Sequence, residues 1–117
     1  YGHDMGDLVL KSVANNMDKV ACGGKAFRYG GEEFAIVFAN RKKDEVLLAL
    51  EAVRESIELE LVDVYDSKKD SYKSVSVTIS IGAGLSNSDR IAQDVIKQAD
   101  LLLYKAKKKG RNCVVME

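Results

Sequence analysis

The sequence predicts a single α/β sandwich in which helices cover a mostly antiparallel sheet, and three observations point to it. Helix-spaced and strand-spaced apolar runs alternate along the chain in the order helix, two strands, helix, two strands, helix, strand. The 117 residues suffice for one hydrophobic core and leave no room for a second. Hydrophobic residues make up 46% and charged residues 31%, enough to fill an interior and solvate a surface, so the domain is expected to be soluble and globular.

Each element has its own local reason. Leu10, Val13, Ala14 and Met17 recur at helical spacing and predict an amphipathic helix over residues 4–17. Residues 26–29 and 34–39 form two strand-like runs, and Gly30, Gly31, Glu32 and Glu33 between them permit a tight turn. A second helix, residues 44–60, carries Val46, Leu50, Val53 and Ile57 on one face, with Asp44 as its expected N-cap. A strand over 59–65 and a polar turn over 67–71 follow. Val75, Val77, Ile79 and Ile81 then alternate with Ser74, Ser76, Thr78 and Ser80, the clearest strand pattern in the chain. The last helix, 89–109, turns Ile91, Val95, Ile96, Ala99, Leu102, Leu103 and Ala106 inward; Gly110 stops it, and 113–116 is a short final strand.

Composition excludes several classes of function. Eighteen basic residues balance eighteen acidic ones, so no bulk positive field exists to hold nucleic acid or an anionic membrane. Cys22 and Cys113 form no CxxC pair and have no histidine cluster, which argues for buried or idle thiols in a reducing cytoplasm rather than zinc or a disulfide. No apolar run approaches the ~20 residues of a membrane span, and no signal peptide is evident. His3, the single histidine, has no nucleophile motif to partner and reads as a loop-packing residue.

Three features carry chemistry. At the hairpin tip, glycines let a ligand approach the backbone while Glu32 and Glu33 offer adjacent carboxylates to a divalent ion; the bland alternative is a Gly-Gly turn with solvated acids. At the end of the last helix, Lys105, Lys107, Lys108, Lys109 and Arg111 either complement the helix dipole or clamp phosphate. Asp7 either favours the dipole of the first helix or accepts hydrogen bonds from a base.

Taken together in order and spacing, YGHDMGD, FRYGGEEF, VTISIGAG and ADLLLYKAKKKGRN resemble the GGDEF domain of bacterial diguanylate cyclases over essentially the whole chain, with glutamate at the variable position of the signature. The resemblance implies a nucleotidyl-cyclase-like α+β fold, a ferredoxin-like variant with a central, mostly antiparallel sheet surrounded by helices. It also implies condensation of two GTP into cyclic di-GMP and two pyrophosphates. It assigns Glu33, with Glu32 beside it, to the catalytic Mg²⁺ or Mn²⁺, and Glu32 to helping deprotonate the attacking 3′-hydroxyl. Gly30 and Gly31 let the nucleotide lie close, Lys107 and Arg111 contact the triphosphate, and Asp7 reads guanine.

The same resemblance implies a homodimer, a sensor or receiver domain upstream, and a cytoplasmic domain whose parent is soluble or membrane-tethered. In the family a metal-binding aspartate on a strand before the first helix, and an asparagine after it, complete the site. Both would precede Tyr1, so the domain is expected to be incomplete on that side and inactive as residues 1–117 alone. The family's inhibitory RxxD site falls on Ala21 and Gly24 and is expected to be absent. The alternative function is a degenerate domain that binds GTP and regulates a neighbour without catalysis; a purely structural interaction domain would make both the acidic tip and the basic helix end coincidences.

Overall fold

The computed structural model describes residues 3–117, with side chains from Gly6 onward. Its elements run α1 (His3–Asp18), β1 (Lys25–Gly30), β2 (Glu33–Val37), α2 (Lys43–Leu59), β3 (Val62–Asp66), β4 (Ser71–Val75), β5 (Ile81–Ala83), α3 (Ala92–Lys108) and β6 (Val114–Met116). The expected entry loop at Tyr1 and Gly2 lies outside the described residues. The backbone of His3 already belongs to α1, so the loop position expected for it is corrected.

The α+β class holds. Strands pair two by two, β1 with β2 and β3 with β4 antiparallel, β5 with β6 parallel. The core gathers Val13 and Met17 of α1 with Val53 and Ile57 of α2, and Val9, Val20, Ala26, Phe34, Ile36, Val77 and Ile79 pack around them. Thus the stripes that predicted α1 and α2 are the faces that bury, as expected for helices stabilised by tertiary packing. α3 lies on β5 and β6, burying Leu102 and Ala106.

Four expectations need correction. The strand expected over 74–81 splits: β4 ends at Val75, β5 begins at Ile81, and residues 76–80 run without a ladder. Alternation survives there, with Val77 and Ile79 half-buried and Ser76 and Thr78 exposed. Period-2 burial reports which side a residue faces and says nothing about who accepts its hydrogen bonds. Asp44 is not the N-cap of α2. Lys42 holds that position, and its backbone N–H donates to the Glu45 carboxylate at 3.4 Å, leaving Asp44 in the first turn beside the positive end of the dipole. Ile91 and Ile96 are exposed rather than inward, because α3 starts only at Ala92 and its stripe narrows toward that end. The second strand ends at Val37 and the third begins at Val62, each shorter than expected.

At the end of α3 the local chemistry reads true. Gly110 takes φ +115°, and the Arg111 N–H donates to the Ala106 carbonyl at 3.0 Å, the long bond of a Schellman closure. Among the described residues no helix is long and apolar enough to cross a membrane.

Two carboxylates tie distant segments together. Glu60 accepts from Ser12 and Asn16, joining the end of α2 to α1, and these hydrogen bonds hold its carboxyl below the usual range. Glu117 accepts from Arg90 at 2.6 Å and from the Leu85 N–H at 3.1 Å, and is lowered chiefly by Arg90. Groups with depressed folded values add stability that is complete above the ordinary carboxylate range and disappears as pH falls through the lowered values. The double variant Glu60→Gln, Glu117→Gln should therefore lose less melting temperature than the parent between about pH 6 and pH 3. An unchanged acid dependence in thermal melts would show that other carboxylates govern it.

Candidate nucleotide site

The β1–β2 hairpin closes on Gly31 and Glu32, with Gly30 and Glu33 facing each other as the last ladder pair. Gly31 has φ +53°, where a side chain would be strained, so glycine is needed for the turn. Arg28 reaches over the tip and donates to the Gly31 carbonyl from Nε at 3.1 Å and from Nη2 at 2.7 Å. This fork ties down a tip whose carboxylates, Glu32 and Glu33, are both exposed.

The fold brings the tip and the basic helix end together. Gly30, Gly31, Glu32, Glu33, Lys107 and Arg111 line one open cavity of about 560 Å³, together with Thr78 and Ile79. Of the basic residues near the end of α3, only these two face it. Lys108 instead lies over the Tyr104 ring at 5.4 Å, a cation–π contact within its own helix. Among the described residues none of Glu32, Glu33, Lys107 and Arg111 has an ion-pair partner within 4 Å, so both signs of charge remain available to a ligand.

Asp7 is not in this cavity. It lines a separate groove of about 420 Å³ between α1 and the hairpin, together with Leu10, Ala14, Phe27, Arg28 and Phe34. Because Arg28 borders this groove and grips the tip beside the cavity, the two depressions flank one hairpin. The family's inhibitory positions carry no binding groups: Ala21 is exposed, and a Cβ on Gly24 would come within 2.7 Å of Phe38, 2.8 Å of Val20 and 2.9 Å of Ile36.

Sequence reasoning missed three contributors. Thr78 and Ile79 sit in the unladdered stretch, and their placement depends on how that stretch crosses the cavity. Arg28 stood inside the signature, and an arginine two residues before a Gly-Gly pair is the signal that could have marked it as the tip's clamp. For metal, no group of three or more His, Cys, Asp or Glu side chains converges among the described residues. Two adjacent carboxylates are nonetheless the donor set a Mg²⁺-type ion takes when phosphate oxygens supply the rest.

Comparison with known proteins identifies the family and the fold. The profile of the family described as "Diguanylate cyclase, GGDEF domain" matches residues 1–113. Diguanylate cyclase A of Treponema denticola is 37% identical over 118 residues, covering 99% of this chain and 30% of that protein. The chain therefore spans under a third of the length of that curated relative. The diguanylate cyclase SiaD of Pseudomonas aeruginosa, solved in complex with its activator SiaC, superposes with a TM-score of 0.89 at 30% identity over 100% of this chain and 43% of that one. The GGDEF domain of DgcB from Caulobacter crescentus, solved with c-di-GMP, gives 0.86 at 30% identity, covering 99% and 67%. With the signature on a glycine hairpin, a matching profile and neighbours of the same fold, the chain belongs to the GGDEF family of diguanylate cyclase domains.

Proposed function

We propose that this domain binds GTP with Mg²⁺ or Mn²⁺ and, paired two-fold with a second copy in the cytoplasm, condenses two GTP into cyclic di-GMP and two pyrophosphates. The observation that carries the reading is the single cavity that sets Glu32 and Glu33 on a glycine tip opposite Lys107 and Arg111. Phosphoryl transfer asks a protein for position and charge rather than for a covalent partner. Lys107 offers a point charge and Arg111 a planar fork to the triphosphate oxygens. Gly30 and Gly31 have open space where side chains would stand, so the nucleotide can lie against the backbone. Glu33, with Glu32 beside it, would hold the divalent ion, which when bound neutralises charge on the α-phosphate and the leaving pyrophosphate. Glu32, exposed in the turn, would take the proton of an incoming 3′-hydroxyl.

Each copy supplies one acidic tip, and two GTP need two, so a two-fold pair is the smallest assembly that satisfies the stoichiometry. Incubation of the protein that carries this domain with GTP and Mg²⁺, followed by chromatography for cyclic di-GMP, tests the proposal. Tight GTP binding with no cyclic product would instead identify a GTP-binding regulatory domain.

A triphosphate in the cavity leaves the flanking groove for the base, where Asp7 can accept from the N1 and N2 hydrogens that guanine has and adenine lacks. Leaving such an acceptor unpaired is costly, so Asp7→Ser should reduce the preference for GTP over ATP by about 10²-fold. Competition binding of the two nucleotides measures this, and unchanged selectivity would remove Asp7 from base recognition.

A further inference from the structure

A half-buried polar cluster joins α2 to the turn after α3. Arg54, whose side chain is only 17% exposed, donates from Nη1 to Asn112 Oδ1 at 2.8 Å and to Glu58 Oε2 at 3.1 Å, and from Nε to Glu51 Oε2 at 3.1 Å. Asn112 returns a hydrogen bond from Nδ2 to Glu58, and its backbone N–H donates to Ser80 Oγ at 3.2 Å. The cluster thus fastens one residue of a loop to a helix 58 positions earlier in the chain.

That residue sits in an unusual backbone. Arg111 and Asn112 adopt φ +66° and φ +49° in succession, immediately after Gly110. Asparagine visits the left-handed region singly, but two successive non-glycine residues hold it only where their surroundings over-determine them. Asn112 has such surroundings in Arg54, Glu58 and Ser80. Arg111 is exposed and has no ion-pair partner within 4 Å among the described residues, yet it lines the cavity. Its backbone N–H closes on the Ala106 carbonyl at 3.0 Å, and the side-chain anchors of the turn are those of its neighbour Asn112.

We propose that the Arg54–Asn112 bridge is a positioning device that holds the Gly110–Asn112 turn in its left-handed form and so aims Arg111 into the cavity. The proposal rests on the reading of Arg111 as a phosphate contact. Arg54 touches no substrate in this scheme; it acts through Asn112. Partial burial works against its charge, but the hydrogen bond to Glu51 and the charges of Glu51, Glu58 and Glu55 outweigh this and hold its pKa above the ordinary value. The guanidinium is therefore a permanent element of the bridge.

A double-mutant cycle on the full chain tests this, with calorimetric affinities for GTP and for GMP in Mg²⁺ as the readout. Arg111→Ala should weaken GTP while leaving GMP unchanged. Arg54→Ala should weaken GTP roughly five- to tenfold, the worth of about one net hydrogen bond, and leave GMP unchanged. In the Arg111→Ala background the Arg54 substitution should cost nothing more. An Arg54→Ala loss that persists in that background, or that falls equally on GMP, overturns the bridge as a positioning device. GTP affinity indifferent to Arg111→Ala overturns the phosphate reading itself, and the proposal with it. If Arg54→Ala does not fold, Asn112→Gly runs the same cycle from the loop side, since glycine permits the left-handed backbone without enforcing it and removes the bridge.

Discussion

Replacing Glu33 with alanine should lower pyrophosphate release from GTP by roughly 10²- to 10³-fold while leaving the melting temperature nearly unchanged; this is the scale seen when a group aimed at developing charge is removed. The two halves of the expectation have separate origins. Glu33 is exposed and has no ion-pair partner within 4 Å among the described residues, so its loss breaks no internal contact of that kind, and surface changes of this sort stay within about 0.5 kcal/mol. On the proposed reading its value lies in the cavity, where among the described residues Glu32 alone would be left of the acidic pair to hold a divalent ion against the phosphates. Phosphate release assays and melts of the same preparations, in the protein that carries this domain, check both halves. Full turnover by Glu33→Ala would place the ion elsewhere and remove the tip from the chemistry.

The second large effect is on stability. Gly82→Ala should lower the melting temperature by on the order of 10–20 °C, from a cost of about 3 kcal/mol or more. A Cβ at this position would lie 2.1 Å from the Leu103 nitrogen, 2.3 Å from the Ala99 carbonyl oxygen and 2.6 Å from the Leu102 carbonyl carbon. All three are backbone atoms of α3, so no side chain can rotate away and the helix must move off β5. Gly6→Ala is the control, because nothing stands within 4 Å of its Cβ position. Displacing α3 also carries Lys107 and the Arg111 turn away from the hairpin tip, so GTP affinity should fall along with stability. A Gly82→Ala protein that melts within a degree or two of the parent would show that α3 can shift cheaply.

Much of this fold was legible in the residues. The stripe of Val13 and Met17 on α1 and that of Val53 and Ile57 on α2 follow from helical period alone, because burying an apolar face is what makes such helices stable. The hairpin tip follows from two glycines between strand-like runs, and the stop of α3 from Gly110, since left-handed backbone has few other occupants. Those are local rules, and the GGDEF signature is written in residues that obey them.

Other features needed the third dimension. Alternation over 74–81 revealed which side chains turn inward, but hydrogen bonding there depends on what runs alongside, and residues 76–80 carry no ladder. Which cation of the KAKKKGR run faces the tip depends on how α3 packs over β5, where Gly82 lets its backbone come close; Lys107 lines the cavity and Lys108 lies on Tyr104. The separation of Asp7 from Glu32 and Glu33 depends on how α1 crosses the hairpin. The link from Arg54 to Asn112 spans 58 positions, beyond the reach of any local pattern. The sequence by itself determined the elements and the acidic and basic groups they carry, because period, turn chemistry and caps act within a few residues. Only the tertiary structure decided which of those groups share a cavity, because that depends on packing between segments far apart in the chain.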